Sequence, residues 1–322
     1  MCNMKKLCLV LFLMLASLSA FAASEEVTIE REWGKLSATL AQPDGGSSTA
    51  VLIIAGSGPT DRNGNSGLGL VTYCYKMLSD ELVERGYAVL RYDKRGIAAS
   101  VLNSGSPNDV LFDDMVDDAA ACVAYLRDRG YERVVVAGHS EGGSIAQALE
   151  HREDIAVDGL VLLCAPGYAM DEILITQLSA QLIPSYMGLM ITATNIINQL
   201  KRGVLVAEGS VPKELMSLFH PSVQPYLISS MQFIPMEVAA RSSLPTFVVT
   251  GGRDVQVSVD NGERLVAAMK SARHRNFEKM CHVLKDAPSG DRVEQLMSVY
   301  TNQNMPLTEG LADEISEFIA NL

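Results

Sequence analysis

Residues 134–143 read Val-Val-Val-Ala-Gly-His-Ser-Glu-Gly-Gly, and the organisation of the whole chain follows from this stretch. A β-branched run ends in Gly138-His139-Ser140-Glu141-Gly142, which fits the G-x-S-x-G pattern of a nucleophile elbow. Ser144 to His151 behind it has the texture of a helix. On such a strand–turn–helix the serine hydroxyl is pushed out above the sheet edge. The flanking positions must be glycine-sized because strand and helix pass close together, and Gly138 and Gly142 meet that demand. The elbow also aims the Glu141 N–H, at a helix N-terminus, toward a carbonyl oxygen that is gaining charge. The same five residues also describe a glycine-flanked helix start with Ser140 as an ordinary N-cap, so the rest of the chain must decide.

Outward from the elbow, strand-like and helix-like stretches alternate. Strands are expected at 27–30 and 36–41 (an antiparallel hairpin turning near Gly34), 50–55, 87–92, 133–137, 159–164, 244–249 and 276–280. Helices are expected at 70–85, 113–129, 259–270 and 307–322. The alternation predicts an α/β fold, a mostly parallel eight-stranded sheet with helices on both faces. Residues 168–243 differ. They are methionine-rich, carry apolar helical runs broken by Pro184, Pro212, Pro221, Pro225 and Pro235, and show no obvious strand. This reads as a helical lid inserted after the sixth strand, leaving 23–167 and 244–322 as the core. The lid methionines suit either an adaptable groove or plain packing of lid on body.

Ligands bind beyond the carboxyl ends of strands in such sheets. Ser140, Asp254 and His282 each follow a predicted strand there, in the order Ser…Asp…His. Asp260 is the rival acid, but it belongs to the start of the next helix. Of the other histidines, His139 is enclosed in the elbow, His151 ends its helix, His220 is in the lid and His274 lies before its strand. The glycine-rich loop Gly56-Ser57-Gly58-Pro59-Thr60-Asp61-Arg62 follows the third strand, where a second oxyanion donor is needed. The Ser57 N–H is the first choice for it, Gly58 the second. Asp93-Lys94-Arg95-Gly96 follows the fourth strand; Asp93 and Arg95 either pair with Asp61 and Arg62 to hold the mouth of the site or are solvated loop charges.

Composition limits partners. The 322 residues are 48% hydrophobic and carry a net charge of −12, which disfavours nucleic acid and anionic membrane surfaces. Lys5 and Lys6, an apolar run from Leu7 to Leu18 and Ser19-Ala20-Phe21-Ala22 read as a signal peptide over 1–22, cut after Ala22 or Ala23, in an exported protein. A retained anchor is the alternative. Of six cysteines, Cys2 and Cys8 leave with the leader. Cys164 and Cys281 end strands separated by another strand, and Cys74 and Cys122 fall on helices of opposite faces, so free buried thiols are expected. No C-x-x-C or His-rich pattern suggests a metal.

Taken together, Gly56–Arg62, the Arg-Tyr-Asp-Lys-Arg-Gly loop at 91–96, Gly138–Gly143, the 220–226 phrase His-Pro-Ser-Val-Gln-Pro-Tyr and His282-Val283-Leu284-Lys285 resemble bacterial serine esterases of the α/β-hydrolase superfamily. The resemblance runs from Val27 to Leu322 and implies a cofactor-free carboxylesterase acting on small-molecule esters with short acyl chains, acetate to hexanoate. One departure is Phe233-Ile234-Pro235, where such proteins often read Tyr-Asp-Pro. The elbow and triad suit peptide hydrolysis or acyl transfer equally well, and a non-catalytic binding protein on a hydrolase fold is the remaining alternative.

Overall fold

A computed structural model describes residues 23–67, 69–181 and 186–322. The expected signal peptide, with Cys2 and Cys8, and the lid break at Pro184 lie outside the described residues. Strands β1 (Ala23–Arg31) and β2 (Gly34–Gln42) form the antiparallel hairpin. Then come β3 (Thr49–Ile54), a two-residue hairpin pair β4 (Asn65–Ser66) and β5 (Leu70–Val71), helix α1 (Cys74–Glu84), β6 (Ala88–Tyr92), the short β7 (Val101–Leu102) and α2 (Phe112–Asp128). The elbow strand β8 (Arg133–His139), α3 (Glu141–Glu150) and β9 (Gly159–Leu163) follow.

Among the described residues the next stretch holds α4 (Met170–Gln181), α5 (Met187–Lys201), α6 (Met216–Phe219), α7 (Gln224–Ser230) and α8 (Pro235–Ala239). The sheet resumes with β10 (Thr246–Gly251), α9 (Val259–Ala268) and β11 (Ala272–Phe277), and the chain closes with α10 (Arg292–Ser298) and α11 (Leu311–Ala320).

The sheet runs β1-β2-β6-β3-β8-β9-β10-β11, with β7 paired to β2 off this path. Every neighbour pair from β6 to β11 is parallel. The central strands are buried on both faces, and their alternation divides two cores. Ala50, Leu52, Ile54, Val134 and Val136 pack with α2, α3 and α9, whereas Val51, Ile53, Val135 and Ala137 pack with α1 and α11. Residues from the helical stretch, among them Leu174, Ile197, Phe219 and Leu227, bury a third cluster of their own. Because six strands run in one direction, the loops after β3, β6, β8, β9, β10 and β11 all emerge along one rim.

Several boundaries moved. The first helix starts at Cys74 rather than Leu70, and α3 starts at Glu141, three residues before the expected Ser144. The last strand runs over 272–277 rather than 276–280. Its Ala-Arg-His-Arg-Asn-Phe text hides it, since an edge strand takes polar residues without penalty. His274 therefore lies inside the strand, bonded to the Thr250 hydroxyl at 2.9 Å, and not ahead of it. Helix α10 is additional to the helices expected from sequence. The four cysteines of the described chain are free and buried, Cys122 in one core and Cys74 in the other.

Candidate active site

The rim gathers the residues singled out from the sequence. Ser140 stands between β8 and α3 at φ 53°, ψ −124°, a conformation L-residues rarely adopt. Close packing holds it there. A Cβ on Gly138 would lie 2.2 Å from the Gly142 carbonyl oxygen, and one on Gly142 would lie 2.4 Å from the Ile54 oxygen. Gly143 was not singled out from sequence, yet a Cβ there would meet the Ala165 Cβ at 2.4 Å. The Glu141 N–H is the first of α3 and has no acceptor within its helix.

Asp254, three residues past β10, accepts from His282 Nδ1 at 2.7 Å. Its other oxygen accepts the Gln256 and Val257 N–H groups at 2.7 and 2.9 Å. Burial alone would raise its carboxyl pKa. The His282 charge, the hydrogen bond from that ring and the two backbone donors outweigh it and hold the carboxyl below its ordinary value. With Nδ1–H committed to Asp254, Nε2 of His282 carries the lone pair. His282 sits in a tight loop closed by the Cys281 N–H donating to the Lys285 carbonyl at 2.9 Å. Ser140, His282 and Ser57 line one small cavity. The Ser140 hydroxyl makes no hydrogen bond among the described residues, and the catalytic hydrogen bonds of a serine hydrolase often tighten only when substrate is bound. Asp260 instead bonds the Ser258 hydroxyl beside α9, away from His282.

The Gly56 loop presses against the elbow: a Cβ at Gly56 would sit 3.0 Å from Ser140 Cβ. This brings Ser57 close to Ser140, and both line the small cavity. A second cavity of about 380 Å³ opens from Ser57, Ser140 and Glu141 into the helical layer. Its walls include Phe112, Tyr168, Leu174, Tyr226, Leu227 and Phe233. Of the six methionines in residues 168–243, Met170 lines this cavity, Met190, Met216 and Met231 pack in the helical cluster and Met187 is exposed, so packing accounts for more of them than a groove does.

Residues 65–285, more than half of the chain, match the family described as serine aminopeptidase S33 (Hydrolase_4). The chain belongs to that family. Esterase EstD of Thermotoga maritima is 27% identical over 216 residues, which are 66% of this chain and 48% of that protein. The matched part thus spans about half the length of this curated relative. Among solved structures, the proline iminopeptidase of Mycobacterium smegmatis superposes with a TM-score of 0.60 at 16% identity, covering 92% of this chain and 98% of that one. Est1E of Butyrivibrio proteoclasticus, bound to ferulic acid, gives 0.58 at 16% over 92% and 98%. The Pyrococcus furiosus esterase Pf2001 gives 0.56 at 19% over 93% and 91%. These likenesses show an α/β-hydrolase fold, and the chain is a hydrolase by family.

In this S33 hydrolase the charged loop after β6 is buried, not solvated. Asp93 accepts the Arg62 N–H at 2.8 Å and faces its guanidinium at 3.5 Å, as one expectation had it. Arg95 does not reach Asp61: it pairs with Asp118 at 2.8 Å and with Asp114 at 3.0 Å. Asp61 accepts instead from the Asn63 and Asn65 N–H groups. Arg95 is tied to α2 and lines neither cavity at Ser140, a pairing that sequence alone cannot assign.

His139 does more than fill the elbow. Its Nε2 lies 2.7 Å from the His282 carbonyl oxygen, which can only accept, so Nε2 carries the proton. Nδ1 is then an acceptor, and the Tyr75 hydroxyl donates to it at 2.7 Å. That hydroxyl in turn accepts the Gly56 N–H at 3.0 Å. Tyr75 thus ties the loop carrying Ser57 to the loop carrying His282. No sequence pattern pointed to Tyr75, which reads as one more apolar position of α1.

His139, Cys164 and His282 form the one group with metal-ligand spacing among the described residues. Both His139 nitrogens and His282 Nδ1 are engaged in hydrogen bonds, and burial pushes the Cys164 thiol well up. The donor set does not fit a resident metal.

Burial, aided by the His282 ring, lowers the pKa of His139 from 6.5 to about 3. An unfolded chain takes up a proton at this residue near 6.5, and the native one does not until about 3. Its stabilising share is therefore whole above 6.5 and is lost as pH falls from there toward 3. His139→Gln should flatten part of this acid decline. Urea midpoints of wild type and variant between pH 7 and 4 should converge, and a constant difference across that range would contradict a neutral buried ring.

Proposed function

We propose that this hydrolase is an exported serine esterase that cleaves carboxylic esters through an acyl-enzyme on Ser140. What carries the reading is the 2.7 Å Asp254–His282 pair on the same rim as a strained elbow serine. In the proposed cycle His282 Nε2 takes the Ser140 proton as Oγ bonds to the ester carbon. The carbonyl electrons move to oxygen, held by the Ser57 and Glu141 N–H groups. Collapse breaks the carbon–alkoxy bond, and His282 gives its proton to the leaving alcohol. Water then repeats both steps against the acyl-enzyme and frees the acid. Asp254 fixes the ring and stabilises the imidazolium.

The mostly apolar wall supports a neutral acyl group. Glu141 is the one acidic side chain on that wall among the described residues, and it lies in the field of the buried Lys94 ammonium. That arrangement offers less to a free α-ammonium group than a peptidase cutting N-terminal residues needs. The helical stretch 168–243 serves as the lid over this cavity. The bacterial esterase group sharing the 56–62 and 138–143 motifs is the proposed narrower relationship.

A fluorophosphonate probe and a panel of p-nitrophenyl esters test this together. The exported protein should gain one probe mass at Ser140 and show an N-terminus after Ala22 or Ala23. Acetate to hexanoate esters should turn over, with aminoacyl p-nitroanilides far slower. Absence of labelling in folded protein would favour a binding role, and amide cleavage without ester turnover would favour a peptidase.

A further inference from the structure

The oxyanion loop is held from behind by a cation. Lys94, in the loop after β6, is buried (2% exposed). Its Nζ donates to the Gly56 carbonyl at 2.5 Å and to the Gly58 carbonyl at 2.7 Å. The Gly56 carbonyl and the Ser57 N–H belong to one peptide unit. In a trans peptide these two groups point in opposite directions, and the described chain has no cis peptide bond. A bond that draws the carbonyl toward Lys94 therefore turns the Ser57 N–H away from Lys94. That N–H donates to no acceptor among the described residues, and Ser57 lines both cavities that meet at Ser140. The other side of Gly56 is fixed too, since its own N–H donates to Tyr75.

From this geometry we infer that Lys94 is a positioning residue which locks the 56–57 peptide with its N–H facing the nucleophile. The inference rests on the esterase reading above and adds a requirement to it. Without the cation, the Gly56 carbonyl loses a charge-assisted bond in a buried place. The peptide is then free to rotate its oxygen toward the site, where it would repel a developing oxyanion. Burial lowers the Lys94 pKa and the Glu141 charge opposes that shift, while no carboxylate pairs with Nζ directly among the described residues. Sequence placed Lys94 in a charged loop; only the fold shows which two carbonyls it meets.

The test uses Lys94→Met and Lys94→Gln with an ester and its matching thionoester. Sulfur accepts hydrogen bonds poorly, so an oxyanion donor helps the oxygen ester much more than its sulfur analogue. Each variant should lose about a hundredfold or more in kcat on the oxygen ester, with KM changed by less than about threefold. The ester-to-thionoester ratio of kcat/KM should fall by about tenfold or more. A loss shared equally by both substrates would reveal a merely structural lysine and overturn the inference.

If neither variant folds, the wild-type adduct with a trifluoromethyl ketone decides. Its crystal structure should show the adduct oxygen on the Ser57 N–H while Lys94 remains on the Gly56 carbonyl. An adduct oxygen held without Ser57, or a Gly56 carbonyl turned off Lys94, overturns it. Ser140→Ala separates the two claims: turnover surviving that change sinks the esterase reading itself. Turnover abolished by it alongside normal Lys94 variants sinks only the lock.

Discussion

Ser140→Ala is expected to lower ester kcat by about 10⁶ while substrate still binds, because it removes the elbow hydroxyl that shares a cavity with His282. Asp254→Asn should cost about 10⁴. The reason for the gap lies in the hydrogen bonds. Asp254 accepts from His282 Nδ1 at 2.7 Å, so a lone pair is left on Nε2 for the serine proton. An asparagine amide turned to donate to Nδ1 would move the proton to Nε2 and leave the base unable to act. Steady-state kinetics on a p-nitrophenyl ester, with active-site titration to correct for contaminating enzyme, provide the check. An Asp254→Asn enzyme within tenfold of wild type would mean that another acid orients His282.

Gly142→Ala should have the largest effect on folding. A methyl there meets the Ile54 oxygen at 2.4 Å and the Ala55 oxygen at 2.8 Å, both backbone atoms of the neighbouring strand end. Neither can move without pulling β3 away from β8, to which Ile54 pairs opposite Gly138. Overpacking against fixed backbone is expected to cost about 4 kcal/mol or more, a large part of the about 5–15 kcal/mol that holds a domain folded. Gly290→Ala is the matched control, since an added Cβ there meets nothing within 4 Å. Urea unfolding should find Gly142→Ala unfolded or with a sharply lowered midpoint and Gly290→Ala close to wild type. A wild-type midpoint for Gly142→Ala would mean the elbow has slack that the contact distances deny.

Strand runs such as Val134–Ala137 and Gly159–Leu163 are legible because residues buried on both faces must be continuously apolar. The 272–277 strand is less legible because an edge strand has no such demand. The helical stretch was recognisable by the loss of strand texture between residues 168 and 243. Which of its side chains face the cavity was not, since Met170 and Met231 look alike in sequence and end in different places.

The sequence by itself determined the doubly covered parallel sheet, the glycine-flanked serine and the order Ser140, Asp254, His282, because each is a local pattern tied to the end of a strand. Only the tertiary structure decided that Tyr75 joins the loops carrying Ser57 and His282 through His139, that Arg95 turns to Asp118, and that Lys94 grips the Gly56 and Gly58 carbonyls. Those contacts link segments far apart along the chain. Hydrogen-bond partners of that kind are chosen by packing distance and direction, which no local run of residues encodes.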